Sequence, residues 1–182
     1  MAQKEIQREV EAEIPAEINT IYEEKLRSYP QEIEQNLRGR KLIKGKQIPF
    51  KISRQGISRW YVTDVPPSPP DAVHYNWTLF VQQIPAGARS GRHVHQGGLN
   101  IFVIKGKGYT VIDGVRHDWS TGDLLALPIK KGGVEHQHFN TSDKPYRWLA
   151  LIYNPYGKVM GRKLEQKELN PFWKEPVKAD SK

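Results

Sequence analysis

The stretch GRHVHQGGLNIFVIKGKG (residues 91–108) sets one valine between two histidines, then runs through an apolar segment closed by glycines. The chain has only 6 histidines, and two of them, His93 and His95, stand one residue apart. On a β-strand side chains alternate between faces, so both imidazoles project to the same side. Such a pair is half of a site for a divalent metal. The stretch VEHQHFN (134–140) repeats the device, with His136 and His138 on one face together with Asn140. One His-x-His pair arises by chance on exposed strands. Two pairs, each beside a Gly or Pro turn, point to a metal site.

Around these pairs, residues 75–154 read as short strands divided by turn signals, the texture of a sandwich or barrel. The segments are NWTLFVQQI, HVH, LNIFVIK, GYTVID, VRHDW, DLLALP, VEHQHFN and YRWLALIY. Asp113-Gly114 between two of them marks a two-residue hairpin turn. Upstream, RWYVT (59–63) reads as a further strand, and VPPSPP (65–70) as a loop, because proline lacks the amide donor a sheet interior needs.

The amino-terminal part reads as helix. Ile6, Val10 and Ile14 fall at i, i+4, i+8, and Ile18, Tyr22 and Leu26 repeat that spacing after Pro15. Pro30 is expected to separate this helix from a short second one carrying Ile33 and Leu37 and stopped by Gly39. Such narrow stripes suit a helix that covers another surface. After Tyr156 the pattern predicts a polar tail with a helical stretch near 161–169 and a mobile end over the last ten residues or so.

Composition bounds the chemistry. A chain of 182 residues accommodates one domain with extensions. With no cysteine, disulfides, zinc–thiolate sites and iron–sulfur clusters are excluded, leaving histidine, carboxylate and amide as ligands. The charged amino terminus has no apolar core of a secretory signal, and no run reaches the ~18 apolar residues of a membrane span. The expectation is a soluble cytoplasmic protein. The net charge of +8 is uneven: residues 1–37 hold nine acids against four bases, and residues 38–59 hold eight bases and no acid. The basic block reads as a solvated arm, because no nucleic-acid-binding motif accompanies it. Nucleophile-elbow, P-loop and dinucleotide signatures are also lacking.

The spacing of the histidines and glycines resembles that of the cupins, small β-barrels of the jelly-roll kind. Their first motif is matched by Gly87, His93, His95 and Gly106, and their second by Gly122, Pro128, Gly133, His136 and Asn140. The resemblance covers residues 73–155 or so. It implies a mainly β fold: a single cupin barrel (73–156), preceded by a helical and basic extension (1–72) and followed by a short helical tail (157–182). It also makes His93, His95 and His136 the imidazole ligands of one divalent metal. The position where cupins place a metal-binding glutamate is Leu99, followed by Asn100, and Glu135 falls on the strand face opposite His136.

Three neutral imidazoles leave a divalent ion its full charge, which suits an anionic substrate chelating through two oxygens. Cupins that cleave the rings of gentisate, salicylate and hydroxynaphthoate have such a site, and their second motif commonly reads His-x-His-x-Asn, as residues 136–140 do here. The resemblance therefore implies a dioxygenase with Fe(II) as its metal, acting on a hydroxylated aromatic acid. Imidazole equally accepts manganese, nickel, copper or zinc. His138 becomes the catalytic candidate, since an imidazole pKa near ~6.5 suits proton exchange with a bound phenol. Those enzymes tend to bind the substrate carboxylate through an arginine where this chain has Asn100-Ile101. Arg89, Arg92 and Arg147 are the candidates to replace it.

Trp60, Trp77, Trp119 and Trp148 read as core, interface or pocket residues. His74 and His117 read as surface or structural, and Asp123 as a turn residue. Two other functions fit the same residues: a non-catalytic module binding a small acid, and an oxygen-independent isomerase or lyase. A homodimer is expected, with the helical arm or RWYVT packed on the partner barrel, because a narrow apolar stripe needs a surface to cover.

Overall fold

The computed structural model describes residues 20–63, 72–73, 76–96, 98–161 and 163–174. His74, the proline-rich loop, the first helical stripe up to Ile18 and the last eight residues lie outside them. Among the described residues, eleven strands form two antiparallel sheets. One sheet has the order β1-β2-β3-β10-β5-β8, made of β1 (Lys51–Ile52), β2 (Ile57–Val62), β3 (Trp77–Ile84), β10 (Tyr146–Tyr153), β5 (Leu99–Lys105) and β8 (Leu124–Ala126). The other has the order β11-β4-β9-β6-β7, made of β11 (Leu164–Glu168), β4 (Arg92–His95), β9 (Val134–Asn140), β6 (Lys107–Ile112) and β7 (Val115–Ser120). This is the mainly β, cupin-like architecture that the resemblance implied.

The core lies between the sheets, where strand alternation delivers it. β3 turns Phe80 and Ile84 inward, β5 contributes Leu99, Ile101 and Val103, and β10 adds Tyr146, Trp148 and Ala150. The five-stranded sheet answers with Ile112, Trp119 and Val134. Its inward face is more polar, because His136, His138, Thr110 and Asn140 occupy the same parity as those apolar residues and are all buried.

The expected strand RWYVT is β2, and it pairs with β3 of its own chain. A turn in which Ser53 N–H bonds the Gly56 carbonyl (2.8 Å) joins β1 to β2. The basic segment thus ends inside the sheet, with Trp60 stacked on Phe80 at 4.2 Å.

Two helical expectations are corrected. Pro30 does not divide the amino-terminal helix: α1 runs unbroken from Ile21 to Arg38, and Gly39 ends it by donating its N–H to the Gln35 carbonyl. A proline forfeits one helix bond, and on a solvent-facing helix water can satisfy the freed carbonyl. The short carboxy-terminal helix exists, but it is α2 (Asn154–Val159), directly after β10. Residues 164–168 are instead strand β11, paired with β4. The open edge of a four-residue strand offers unpaired backbone donors and acceptors, and pairing there outweighs a weak local helical pattern. Among the described residues no helix is long and apolar enough to cross a membrane.

Asp113 and Gly114 form the predicted hairpin between β6 and β7, both with positive φ (49° and 85°). A Cβ on Gly114 would meet nothing within 4 Å, so only the backbone conformation demands glycine there. Gly114→Ala is therefore expected to lower unfolding stability by about 1 kcal/mol, the cost of a left-handed non-glycine residue, as read from the urea midpoint. An unchanged midpoint would refute that assignment.

Candidate metal centre

β4 and β9 lie side by side, and their register sets His93 directly opposite His136. His95, two residues on, points the same way. The ring centroids stand 4.3 Å apart for His93–His136, 4.7 Å for His95–His136 and 5.3 Å for His93–His95. One ligand nitrogen from each ring falls within 4.8 Å of the others. Of all the histidine, aspartate and glutamate side chains described, only these form such a group.

Each ring is oriented by a backbone carbonyl. His93 Nδ1 donates to Gly91 O (3.3 Å), His95 Nδ1 to Gln96 O (2.6 Å) and His136 Nδ1 to Val134 O (3.3 Å). A carbonyl can only accept, so the proton sits on Nδ1 and the Nε2 lone pair of each ring is free. Burial, helped by the neighbouring imidazole, pushes His93 down to about 4. Burial also lowers His95, and it takes His136 well below the ordinary histidine range. Three neutral rings, each with one unprotonated nitrogen and all within ligand distance of one another, fit a cation, and a divalent metal is the natural occupant.

The carboxylate absent from the motif is also absent from the described residues of the site. The histidines line a cavity of about 260 Å³ together with Leu99, whose buried side chain stands on the cavity wall. Among the described lining residues there is no aspartate or glutamate. Glu135 lies on the outer face and pairs with Arg92 at 2.9 Å.

The walls of the cavity are aromatic and amide: Trp60, Phe80 and Trp148 stand beside Gln55, Gln82 and Gln96. None of the three arginine candidates lines it. Arg92 is held between Glu135 and Glu168, Arg89 lies 3.8 Å from Glu168, and Arg147 donates to Gln83. The cation on the lining is Lys163, at the foot of β11 beside Glu165. Sequence reading missed it because it assigned that segment to a helix. The tryptophans divide: Trp60 and Trp148 face the cavity, Trp119 is core, and Trp77 packs against Tyr153. His117 is exposed, and Asp123 caps its turn by accepting the Ser120 N–H (2.7 Å).

His138 also lines the cavity, with its ring 5.3 Å from His136 and 5.1 Å from Trp148. Unlike the other three rings, its Nδ1 meets a hydroxyl, Thr110 Oγ1, at 2.8 Å. Burial pushes its pKa down to about 3, so the ordinary value that suggested proton exchange is not kept and the ring is neutral at physiological pH. Asn140, the last motif residue, is structural. Its Nδ2 donates to the Ile84, Pro85 and Lys144 carbonyls and its Oδ1 accepts from Ser142, tying two loops to the end of β9.

Residues 80–152 match a family model described as a cupin domain. Several solved structures share the fold. The polyketide cyclase RemF from Streptomyces resistomycificus is 17% identical, with 75% of this chain and 88% of that one covered at a TM-score of 0.53. A Cupin 2 conserved barrel domain protein from Salinispora arenicola is 18% identical (66% and 95% covered, TM-score 0.51). The plu4264 protein from Photorhabdus luminescens is 13% identical (66% and 92% covered, TM-score 0.51). No curated protein matches the chain. The domain match and the shared fold support the cupin superfamily, and they do not extend to the gentisate-type dioxygenases.

Replacing His93, His95 or His136 singly by Ala should abolish stoichiometric binding of a divalent metal while leaving the folded circular-dichroism spectrum. Titration of the metal-free protein with Zn²⁺ measures it. Full binding by all three variants would show that the rings are not ligands.

Proposed function

We propose that the protein is a metal-dependent dioxygenase of a hydroxylated aromatic acid, with ferrous iron held by His93, His95 and His136. The observation that carries this reading is the pairing of a carboxylate-free three-histidine group with an aromatic-walled cavity. A ligand set without negative charge favours a doubly anionic chelator. The cavity volume lies just below the ~300–1,000 Å³ of ordinary ligand pockets, which suits a single substituted ring. When bound, ferrous iron supplies Lewis acidity toward an anionic oxygen and electrons toward dioxygen.

The chain's own residues do the rest. The indoles of Trp60 and Trp148 and the ring of Phe80 offer flat surfaces that orient an aromatic ring. Leu99 and Ile152 line the cavity as apolar wall and exclude water. Lys163 offers the positive charge for a carboxylate, the role sequence reading gave to an arginine.

The observation that no carboxylate stands among the described lining residues and that the histidines are held neutral favours one second reading, a module that binds a small acid without turnover. An isomerase or lyase at the same site would show as turnover without oxygen uptake. Iron-loaded protein should consume oxygen, followed at an oxygen electrode, with one of a panel of 2-hydroxybenzoates and hydroxynaphthoates. Lys163→Gln should raise KM several-fold while kcat changes little, because an exposed cation adds binding and not chemistry. A spectral change without oxygen uptake would select the binding module. Neither response would refute both readings.

We also propose a homodimer built on α1. Tyr22, Leu26, Tyr29, Ile33 and Leu37 form one apolar stripe along the helix, and every one is exposed by more than half. An antiparallel second copy would set the acidic first turn, Glu23 and Glu24, against the basic end at Arg38, Arg40 and Lys41. Leu26→Lys with Ile33→Lys should convert the dimer to a monomer in light scattering. A wild-type monomer, or a dimer that survives both changes, would refute this arrangement.

A further inference from the structure

The fourth histidine differs from the three ligands in one respect that its surroundings decide. Thr110 Oγ1 is fully buried and touches two partners: it accepts the Trp119 Nε1–H at 2.9 Å and lies 2.8 Å from His138 Nδ1. A hydroxyl carries one proton of its own. Among the described residues the only group left to receive it is His138 Nδ1. If His138 Nδ1 carried the proton instead, both neighbours would donate to the oxygen and the Thr110 hydroxyl proton would be buried without an acceptor, a loss that outweighs an ordinary hydrogen bond. The indole N–H can only donate, so it sets the direction of the whole chain. Trp119 gives to Thr110, and Thr110 gives to His138.

We propose that Trp119 and Thr110 are positioning residues that hold His138 as its Nε2–H tautomer, so that it presents a hydrogen-bond donor to an anionic oxygen of the ligand beside the three histidine lone pairs. Thr110 and Trp119 are not on the cavity lining, whereas His138 is, so the ring's free end faces the cavity. In this form His138 is unable to become a fourth metal ligand, even though it sits two residues from His136 on the same strand face. The site thus separates two kinds of imidazole by what stands behind them. Backbone carbonyls behind His93, His95 and His136 make lone-pair donors, and a hydroxyl behind His138 makes an N–H donor. The ligand oxygen is the part of the inference that rests on the proposed function; the tautomer does not.

The test reads the tautomer directly. Nitrogen-15 NMR of the metal-free and zinc-loaded protein should show His138 protonated at Nε2 and the other three rings at Nδ1. Thr110→Ser should keep that pattern and Thr110→Val should lose it for His138, with the fold checked by the dispersion of the amide spectrum. Salicylate titrated into the zinc-loaded protein should bind about tenfold or more weakly to Thr110→Val than to wild type or Thr110→Ser. A wild-type His138 protonated at Nδ1, or a Thr110→Val variant with the wild-type pattern, overturns the proposal. Should Thr110→Val not fold, the wild-type and Thr110→Ser spectra still decide it. The expected tautomers with no salicylate binding to wild type would leave the positioning intact and count against the aromatic-acid reading and the anionic-oxygen role alone.

Discussion

The cross-strand contact of β4 with β9 is the constraint on which the site depends. Antiparallel pairing admits a slip of one residue only by turning every side chain of a strand to the other face. The register that sets His93 opposite His136 therefore also decides that Val134 and Asn140 point into the barrel and that Glu135 points out. The outward glutamate pairs with Arg92 across the same two strands, so the polar outer face and the inner histidines hold one register. β11 closes the free edge of β4, pairing Gln166 with His93 and Leu164 with His95.

Within that frame the histidines are differentiated by second partners, not by position. Four imidazoles share one cavity, and burial keeps them neutral. Three have carbonyls at Nδ1 and one has a hydroxyl. An acceptor that cannot donate fixes a tautomer outright, whereas a hydroxyl takes its direction from the next group along. The core tryptophan Trp119, which does not line the cavity, is thereby linked through Thr110 to a histidine that does.

Several motif residues prove to serve the barrel and not the site. Gly106, which closes the first motif, has φ +105°, and a Cβ there would collide with Tyr146. Asn140, which closes the second, spends its side chain on backbone groups of neighbouring loops. These residues make the motif recognisable because they hold the strands that carry the histidines. The cavity residues that would select a ligand, among them Trp60, Gln55 and Lys163, lie outside both motifs.

Much of this was legible in the sequence because it depends on local rules. Strand parity put His93 with His95 and His136 with His138, turn chemistry placed the Asp113-Gly114 hairpin, and the resemblance to cupins implied the barrel and the missing carboxylate at Leu99. What the sequence could not supply were facts that arise from distant segments meeting. The strand character of residues 164–168 comes from an open sheet edge about seventy residues away, which no local pattern records. The same holds for the placement of Lys163 and Trp60 on the cavity wall. The helix through Pro30 shows a local rule yielding to a permissive environment, since solvent can satisfy the bond that proline breaks. The direction of the Trp119–Thr110–His138 chain was the least legible of all. It depends on three residues from three strands meeting in one buried place, and only the tertiary structure brings them there.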